Sequence, residues 1–160
     1  TASPEDRLIM TEYAVRENLH FSVSDIELHR NGPSYTVDTI AELQSRLDGA
    51  DLFFITGLDA LLAIDTWVDY MLLPSLCTLV TATRPGYDVQ GLNSLPVQIR
   101  ENLRLVEIPQ VAISSTEIRQ RAGDGRGIRF LVPHLVETYI ESAGLYKNAG
   151  SDRNREVLRR

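Results

Sequence analysis

Two patterns of apolar positions alternate along this 160-residue chain, and together they predict helices between strands. The runs 52–56 (LFFIT) and 76–82 (LCTLVTA) are largely apolar, as is typical of parallel strands buried on both faces. Elsewhere apolar residues recur every three or four positions, which is the period of a helix with one buried face. This order of elements predicts an open α/β fold in which a parallel sheet is flanked by helices.

The chain begins with a strong helix signal. Ser3 is predicted to cap the helix, because Pro4 follows in the first helical position and acidic residues occupy the first turn. The helix should run to about Asn18. Its apolar surface is wide, so we expect it to pack well into a core.

The remaining elements follow from the same rules. The alternation over 21–28 changes phase at Asp25, which predicts a strand with a bulge. Thr36 or Ser34 can cap the next helix, and 48–49 (DG) should end it. Further predicted elements are a short helix over 60–64, a short helix over 97–102, a strand over 103–108, and a last helix from 132–133 to Gly144.

Residues 113–119 (ISSTEIR) combine an apolar approach, three hydroxyl side chains and an arginine. Ser114 with Glu117 three positions later fits a capping box, so Ser114 is predicted to be the N-cap of a helix. The first backbone N–H groups of a helix have no partner within it, and they attract anions together with the helix dipole.

The side chains of this stretch also suit an anion. Ser115 and Arg119 are four residues apart and therefore share a helix face, with Thr116 beside them in the first turn. The hydroxyl and the guanidinium could then surround one phosphate group. The alternative explanation is an ordinary capped helix with a solvated arginine.

Charge and composition narrow the function classes. The net charge of −6 and a pI near 5.0 argue against a nucleic-acid-binding surface, although not against a nucleotide bound in a local basic pocket. Lys147 is the only lysine among 16 basic residues, so phosphate binding must depend on arginines, backbone amides and helix ends. No apolar stretch is long enough to span a membrane, and a cytoplasmic protein is the default expectation.

Metal and disulfide chemistry receive little support from the sequence. His20, His29 and His134 lie far apart without ligand spacing, so no metal site built from side chains is predicted. The single cysteine, Cys77, lies in an apolar run and is expected to be buried.

Three loops should lie at one edge of the predicted sheet. They are 57–59 (GLD), 84–87 (RPGY) and 114–116 (SST), each placed where a strand is expected to end. Ligands of open α/β sheets bind beyond the carboxyl ends of the strands. The edge is therefore the predicted nucleotide site.

The combined motifs resemble those of bacterial nicotinate-mononucleotide adenylyltransferases, over residues 3–146 in matching order. The motifs that carry the resemblance are 32–39 (GPSYTVDT), 55–60 (ITGLDA), 66–67 (TW), 84–87 (RPGY), 113–119 (ISSTEIR), 130–133 (FLVP) and 144–146 (GLY). The resemblance implies a Rossmann-like nucleotidyltransferase fold. It also implies adenylyl transfer from ATP to nicotinate mononucleotide with Mg²⁺, which gives nicotinate adenine dinucleotide and pyrophosphate, a step of NAD biosynthesis.

The resemblance also implies roles for individual residues. Those that correspond to the grip on the ATP phosphates are Ser114, Ser115, Thr116 and Arg119, of which the last three would act in catalysis. Those that correspond to the adenosine site are Ile55, Thr56, Gly57 and Asp59. Those that correspond to the mononucleotide site are Thr36, Trp67, Val68 and Arg84.

Simpler explanations exist for several of these residues. Trp67 is the only tryptophan, and a single tryptophan is usually part of a core. Asp59 could merely cap the helix that follows Gly57, and Arg84 could merely belong to a turn.

The chain departs from the family pattern in one respect. The HxGH motif that this family carries after its first strand is absent from the 160 residues, together with what resembles an opening βαβ unit. We therefore expect the sequence to be an excerpt or a truncation. Residues 1–146 should form one nucleotide-binding domain, incomplete at its N-terminus, and residues 147–160 a flexible polar tail.

Two other functions remain open at this point. One is a non-catalytic or truncated module that binds a nucleotide without turnover. The other is a related adenylyltransferase, such as one that acts on phosphopantetheine. The sequence leaves a homo-oligomer open as well.

Overall fold

A computed structural model describes residues 1–83, 89–109 and 111–147 of the chain. The chain divides into two compact units, which are described separately below. The terminal unit comprises Thr1–Leu28 and Ala112–Arg160, and the central unit comprises His29–Val111. Among the described residues, no helix has both the length and the apolar character needed to cross a membrane.

The central unit is built on a parallel three-stranded sheet with the strand order β1-β2-β3. The strands are β1 (Phe53–Gly57), β2 (Thr78–Thr83) and β3 (Leu103–Glu107). Gly57 pairs with Ala82 in the register, so the carboxyl ends of β1 and β2 lie at the same edge. The predicted parallel sheet is confirmed.

Among the described residues of the central unit there are four helices, and their apolar side chains pack against one face of the sheet. Leu79 in β2 is fully buried there, together with Leu61 and Ile99 from the helices. Burial of apolar surface is the main source of stability in such a layer. The helices are α2 (Thr36–Arg46), α3 (Leu58–Leu62), α4 (Leu73–Leu76) and α5 (Val97–Glu101), with 3₁₀ turns at Ile64–Thr66, Tyr70–Leu72 and Val89–Ser94.

Cys77 lies in this core, as predicted. Only 7% of the residue is exposed, and its Sγ–H donates to the carbonyl oxygen of Leu73 at 3.6 Å. Burial raises the pKa of the Cys77 thiol, because the charged thiolate would lose its hydration.

The prediction that the first apolar strand is buried on both faces was wrong. Phe53 and Ile55 in β1 are 48% and 73% exposed, whereas Phe54 between them packs on the core. Among the described residues, the helices pack on the face of the sheet that carries Phe54, whereas Phe53 and Ile55 point to the opposite face, which is largely exposed along β1. The guanidinium of Arg104 in β3 lies 5.2 Å from the centre of the Phe53 ring and covers part of this second face.

The helices of the terminal unit, as far as residue 147, are α1 (Pro4–Val15), α6 (Ser115–Gly123) and α7 (His134–Ser142). Ser3 caps α1 as predicted, and Ser3 and Asp6 exchange both hydrogen bonds of a capping box. The helix ends at Val15, three residues before the predicted Asn18.

The expected deep burial of α1 was wrong, because none of its residues is fully buried. Met10 and Tyr13 instead flank a small cluster whose buried members are Ile128, Val136 and Ile140. A narrow stripe of partly buried side chains is enough to hold a surface helix in place.

A partly buried hydrogen bond joins α1 and α7. The hydroxyl of Tyr139 in α7 donates to Asp6 Oδ1 at 2.8 Å, while Asp6 Oδ2 accepts from the backbone N–H of Ser3. These bonds hold the pKa of Asp6 below its usual value, with the Ser3 backbone bond as the larger cause. Tyr13 packs edge-on against the Tyr139 ring, with the ring centres 5.8 Å apart.

The predicted bulged strand over residues 21–28 does not form. The N–H of Leu28 donates to the carbonyl of Asp25 at 2.8 Å, and the N–H of Ile26 donates to Ser24 Oγ at 3.4 Å. Serine and aspartate side chains favour such local turns over a strand ladder. The apolar alternation here therefore does not indicate a strand.

The turn predicted at 84–87 and most of the polar tail predicted at 147–160 lie outside the described residues. The extent of the domain, 1–146, stays a prediction.

Replacement of Asp6 by Asn should make the terminal unit less stable above pH 4 and should flatten its acid response. The pKa of Asp6 is lowered in the folded protein, so its stabilising effect is present above the unfolded pKa of about 3.9 and is lost as the pH falls through the folded value. Urea unfolding of both proteins at a series of pH values measures this. Equal stability of wild type and Asp6→Asn at pH 7 would contradict it.

Candidate functional site

The N-terminus of α6 is the element on which the predicted phosphate site depends. Ser114 is the N-cap, and its Oγ accepts from the backbone N–H of Glu117 at 3.1 Å, as predicted. The carboxylate of Glu117 instead accepts two hydrogen bonds from the Arg121 guanidinium, at 2.9 and 2.8 Å. One half of the predicted capping box is therefore formed.

A cavity of about 600 Å³ opens beside α6 within the terminal unit. The Arg119 guanidinium donates to Thr116 Oγ1 at 3.2 Å, so these two side chains form a joint polar surface on its wall. Ser115 is exposed in the first turn. The residues that line the cavity are Thr1, Thr116, Arg119, Gln120, Gly144, Leu145, Tyr146 and Lys147.

The charge of this lining favours an anion. Arg119 and Lys147 contribute two cationic side chains, and no carboxylate occurs among the described lining residues. Sequence reasoning assigned Lys147 to a tail. The signal that could have identified it is its position three residues after Gly144. That glycine has a φ of +62° and turns the chain just after α7 has ended.

The predicted adenosine residues lie in the central unit, where β1 passes directly into α3. Gly57 is the last residue of β1 and also the N-cap of α3. The carbonyl oxygen of Thr56 accepts from the buried hydroxyl of Thr81 at 2.9 Å. This bond fixes the backbone just before the strand ends. Sequence reasoning did not single out Thr81, which looks like an ordinary strand threonine.

Asp59 and Ile55 are both exposed beside this strand end. Asp59 is in the first turn of α3, which has no side-chain cap. The simpler explanation of Asp59 as a capping residue was therefore wrong. Its carboxylate remains available to a ligand at the positive end of the helix.

Trp67 lies in the same unit, at the end of the 3₁₀ turn Ile64–Thr66. Its indole is half-buried and packs on the core, edge-on against Phe54 with ring centres 6.0 Å apart and planes at 84°. Trp67 thus has the core role that the simpler explanation proposed, and it also retains exposed surface. Val68 next to it is 45% exposed.

Thr36 is the first residue of α2 and is half-buried. The prediction that Thr36 or Ser34 caps this helix was wrong, because Tyr35 occupies the N-cap without a side-chain bond. The Thr36 hydroxyl has no hydrogen-bond partner within the part of the chain that the structure describes. Arg84 lies outside the described residues.

The candidate residues fall into two groups. Ile55, Thr56, Gly57 and Asp59 are contiguous at the end of β1, in the unit that also contains Thr36, Trp67 and Val68. The Ser114–Arg119 stretch belongs to the terminal unit. Within residues 1–83, 89–109 and 111–147, no group of three or more His, Cys, Asp and Glu side chains is arranged to hold a metal ion.

Comparison with known proteins identifies the family. Residues 1–121 match the cytidylyltransferase-like family model. A protein of Corynebacterium kroppenstedtii named probable nicotinate-nucleotide adenylyltransferase is 45% identical over 151 residues, which cover 94% of this chain and 71% of that protein. A protein of the same name from Thermus thermophilus is 47% identical over 146 residues, covering 91% of this chain and 75% of its own.

Solved structures share the fold. The nicotinic acid mononucleotide adenylyltransferase of Plasmodium falciparum complexed with APC superposes with a TM-score of 0.67 at 20% identity, and the match covers 89% of this chain and 75% of that one. The same enzyme complexed with NaAD gives a TM-score of 0.55 at 21% identity over 71% of this chain and 58% of that one. By its family match and its relatives, this chain belongs to the nicotinate-nucleotide adenylyltransferases, within the cytidylyltransferase-like family.

Proposed function

We propose that this protein transfers the adenylyl group of ATP to nicotinate mononucleotide. A 5′-phosphate oxygen of the mononucleotide attacks the α-phosphorus of ATP, and the bond from that phosphorus to the bridging oxygen of the β-phosphate breaks. The products are nicotinate adenine dinucleotide and pyrophosphate. The observation that carries the proposal is the 45% identity to a nicotinate-nucleotide adenylyltransferase across 94% of the chain.

The cationic cavity beside α6 supports a role for the terminal unit in binding the ATP phosphates. Arg119 and Thr116 line it together, and Thr116 belongs to the first turn of α6, the end of a helix that favours anions. Negative charge develops on the leaving pyrophosphate during the transfer. Positioned cations and helix donors that stabilise this charge lower the barrier, without the protein forming a covalent bond. Ser114 and Ser115, at the start of α6, would also contact the phosphates.

The end of β1 supports a role in binding adenosine. Gly57 presents its backbone there, and apart from its chain neighbours no atom of the described residues lies within 4 Å of where a side chain on Gly57 would begin. A flat nucleoside can approach such a backbone closely. The exposed carboxylate of Asp59 could accept hydrogen bonds from ribose hydroxyls, and the exposed side chain of Ile55 could pack beside the base.

The mononucleotide would bind beside Thr36 and Trp67. An exposed part of the indole offers a stacking surface for the pyridine ring, and Val68 extends that surface. The hydroxyl of Thr36 and the free N–H groups at the start of α2 are suitable donors to a carboxylate. Arg84 is proposed to lie on the same side on the strength of the sequence resemblance alone.

Magnesium enters this proposal with ATP, as part of the substrate. The described residues fit that arrangement, because their donors at α6 are hydroxyls and a guanidinium, which bind phosphate oxygens. Mg²⁺ in such sites is held largely by substrate phosphates and water, and it offsets their negative charge.

Pyrophosphate release from Mg·ATP tests the reaction. We expect release with nicotinate mononucleotide, and a fall on the order of 100-fold in Arg119→Ala, because a donor to the developing charge is removed. Arg126→Ala is the matched control, since the Arg126 side chain is exposed and pairs with Asp124 at 3.2 Å. Release with phosphopantetheine instead would favour the related enzyme. ATP binding without release for any acceptor would favour a non-catalytic module.

The fluorescence of Trp67 tests the mononucleotide site. Trp67 is the only tryptophan, so quenching by nicotinate mononucleotide reports contact at this one residue. We expect quenching that saturates, and a KM up to several-fold higher in Trp67→Phe, because the smaller ring forfeits part of the roughly 0.5–1.5 kcal/mol of an aromatic contact. Phe should preserve the packing against Phe54. Unchanged fluorescence at saturating mononucleotide would remove Trp67 from the site.

A further inference from the structure

The side chain of Arg30 folds back onto the first two turns of α2. It is only 20% exposed. Its Nη1 donates to Thr39 Oγ1 at 2.7 Å, and its Nη2 donates to the carbonyl oxygen of Asp38 at 3.4 Å and to Glu42 Oε2. One guanidinium therefore binds three residues of a helix that begins six positions after it.

These bonds continue to the residue that precedes Thr36. Thr39 Oγ1 accepts from Arg30, and its own hydroxyl hydrogen is directed to the carbonyl oxygen of Tyr35 at 3.3 Å. The backbone N–H of Thr39 also donates to that carbonyl, at 3.2 Å. The N-cap carbonyl thus accepts two bonds, one of them from the hydroxyl that also accepts from Arg30.

Glu42 anchors the other end of this arrangement. Its Oε2 accepts from Arg30 and its Oε1 accepts from Arg46, so each carboxylate oxygen has its own cation. The pKa of Glu42 is lowered, and the hydrogen bond from Arg30 is the largest cause. Arg46 is 59% exposed and lies on the same helix as Glu42, whereas Arg30 ties the helix to the preceding loop.

The loop between Arg30 and α2 has little else to hold it. Residues 31–35 are all exposed, and Gly32 has a φ of +92°, a conformation that favours glycine. The N-cap at Tyr35 makes no side-chain bond. Exposed loops with few buried contacts sample many conformations, so a single well-bonded side chain can decide which one is populated.

We propose that Arg30 is a positioning residue for the mononucleotide: it holds residues 31–35 and the first turn of α2 in the conformation that presents Thr36 to the pyridine ring. This inference rests on the proposed function and gives a role to a residue outside the candidate site described above. Arg30 does not touch the substrate. It sets the fraction of molecules in which the Thr36 end of α2 is ready to bind.

Steady-state kinetics of Arg30→Met test the proposal. If the competent conformation falls to about one tenth, the KM for nicotinate mononucleotide rises about tenfold. The KM for ATP and the kcat at saturating mononucleotide should stay within about twofold, because bound substrate restores the conformation. Thr39→Val should raise the same KM, since it removes the hydroxyl that bonds both to Arg30 and to the carbonyl oxygen of Tyr35.

Arg46→Met is the matched control, because it removes the other cation bound to Glu42 and leaves the bonds between Arg30 and α2 intact. Its KM values should equal those of the wild type. A KM increase of equal size in Arg46→Met, or no increase in Arg30→Met and Thr39→Val, would overturn the proposal. The KM of Arg30→Lys should lie between those of Arg30→Met and the wild type, since an ammonium group cannot reproduce the planar arrangement of guanidinium donors.

Hydrogen exchange separates this proposal from the proposed function. The amide of Thr39, which donates to the Tyr35 carbonyl at the start of α2, should exchange faster in Arg30→Met than in wild type or Arg46→Met, whether or not the protein is an active adenylyltransferase. Faster exchange in a protein that releases no pyrophosphate would contradict the function and preserve the loop role. Unchanged exchange in an active protein would contradict the loop role alone.

Discussion

Parallel pairing between β1 and β2 is the constraint on which the central unit depends. The register that pairs Gly57 with Ala82 brings the strand ends to one edge, and it also brings the Thr81 hydroxyl within 2.9 Å of the Thr56 carbonyl. Because α3 starts at the residue after Gly57, the same pairing sets where the helix donors are presented. The adenosine end of the proposed site is thus a consequence of strand register.

Predictions from the sequence succeeded where the deciding contacts are local. The N-caps Ser114 and Ser3 each accept a hydrogen bond from a residue three positions later, and the sequence displays both pairs directly. The strand expected over 21–28 failed for a related reason, since the Ser24 hydroxyl satisfies a backbone donor that a strand would have needed. Apolar alternation alone does not reveal that competition.

Features that depend on distant contacts could not be predicted. Arg30 and Glu42 are twelve residues apart, and no periodic pattern relates a loop arginine to a helix carboxylate. The exposure of Ile55 depends on which face of the sheet the helices cover, which is a property of the tertiary packing. The candidate residues at 114–119 came from a local pattern, whereas those for adenosine and the mononucleotide came from family resemblance. Their placement at a helix start and a strand end agrees with chemistry that needs backbone donors and few side chains.

The burial of Cys77 has a practical consequence of its own. A thiol that is 7% exposed and whose pKa is raised by burial reacts slowly with alkylating reagents, because the reactive species is the thiolate. Cys77 is the only cysteine and lies in the core of the central unit. Its rate of modification therefore reports how often that core opens. The native chain thus carries its own probe of local unfolding, and no label needs to be introduced.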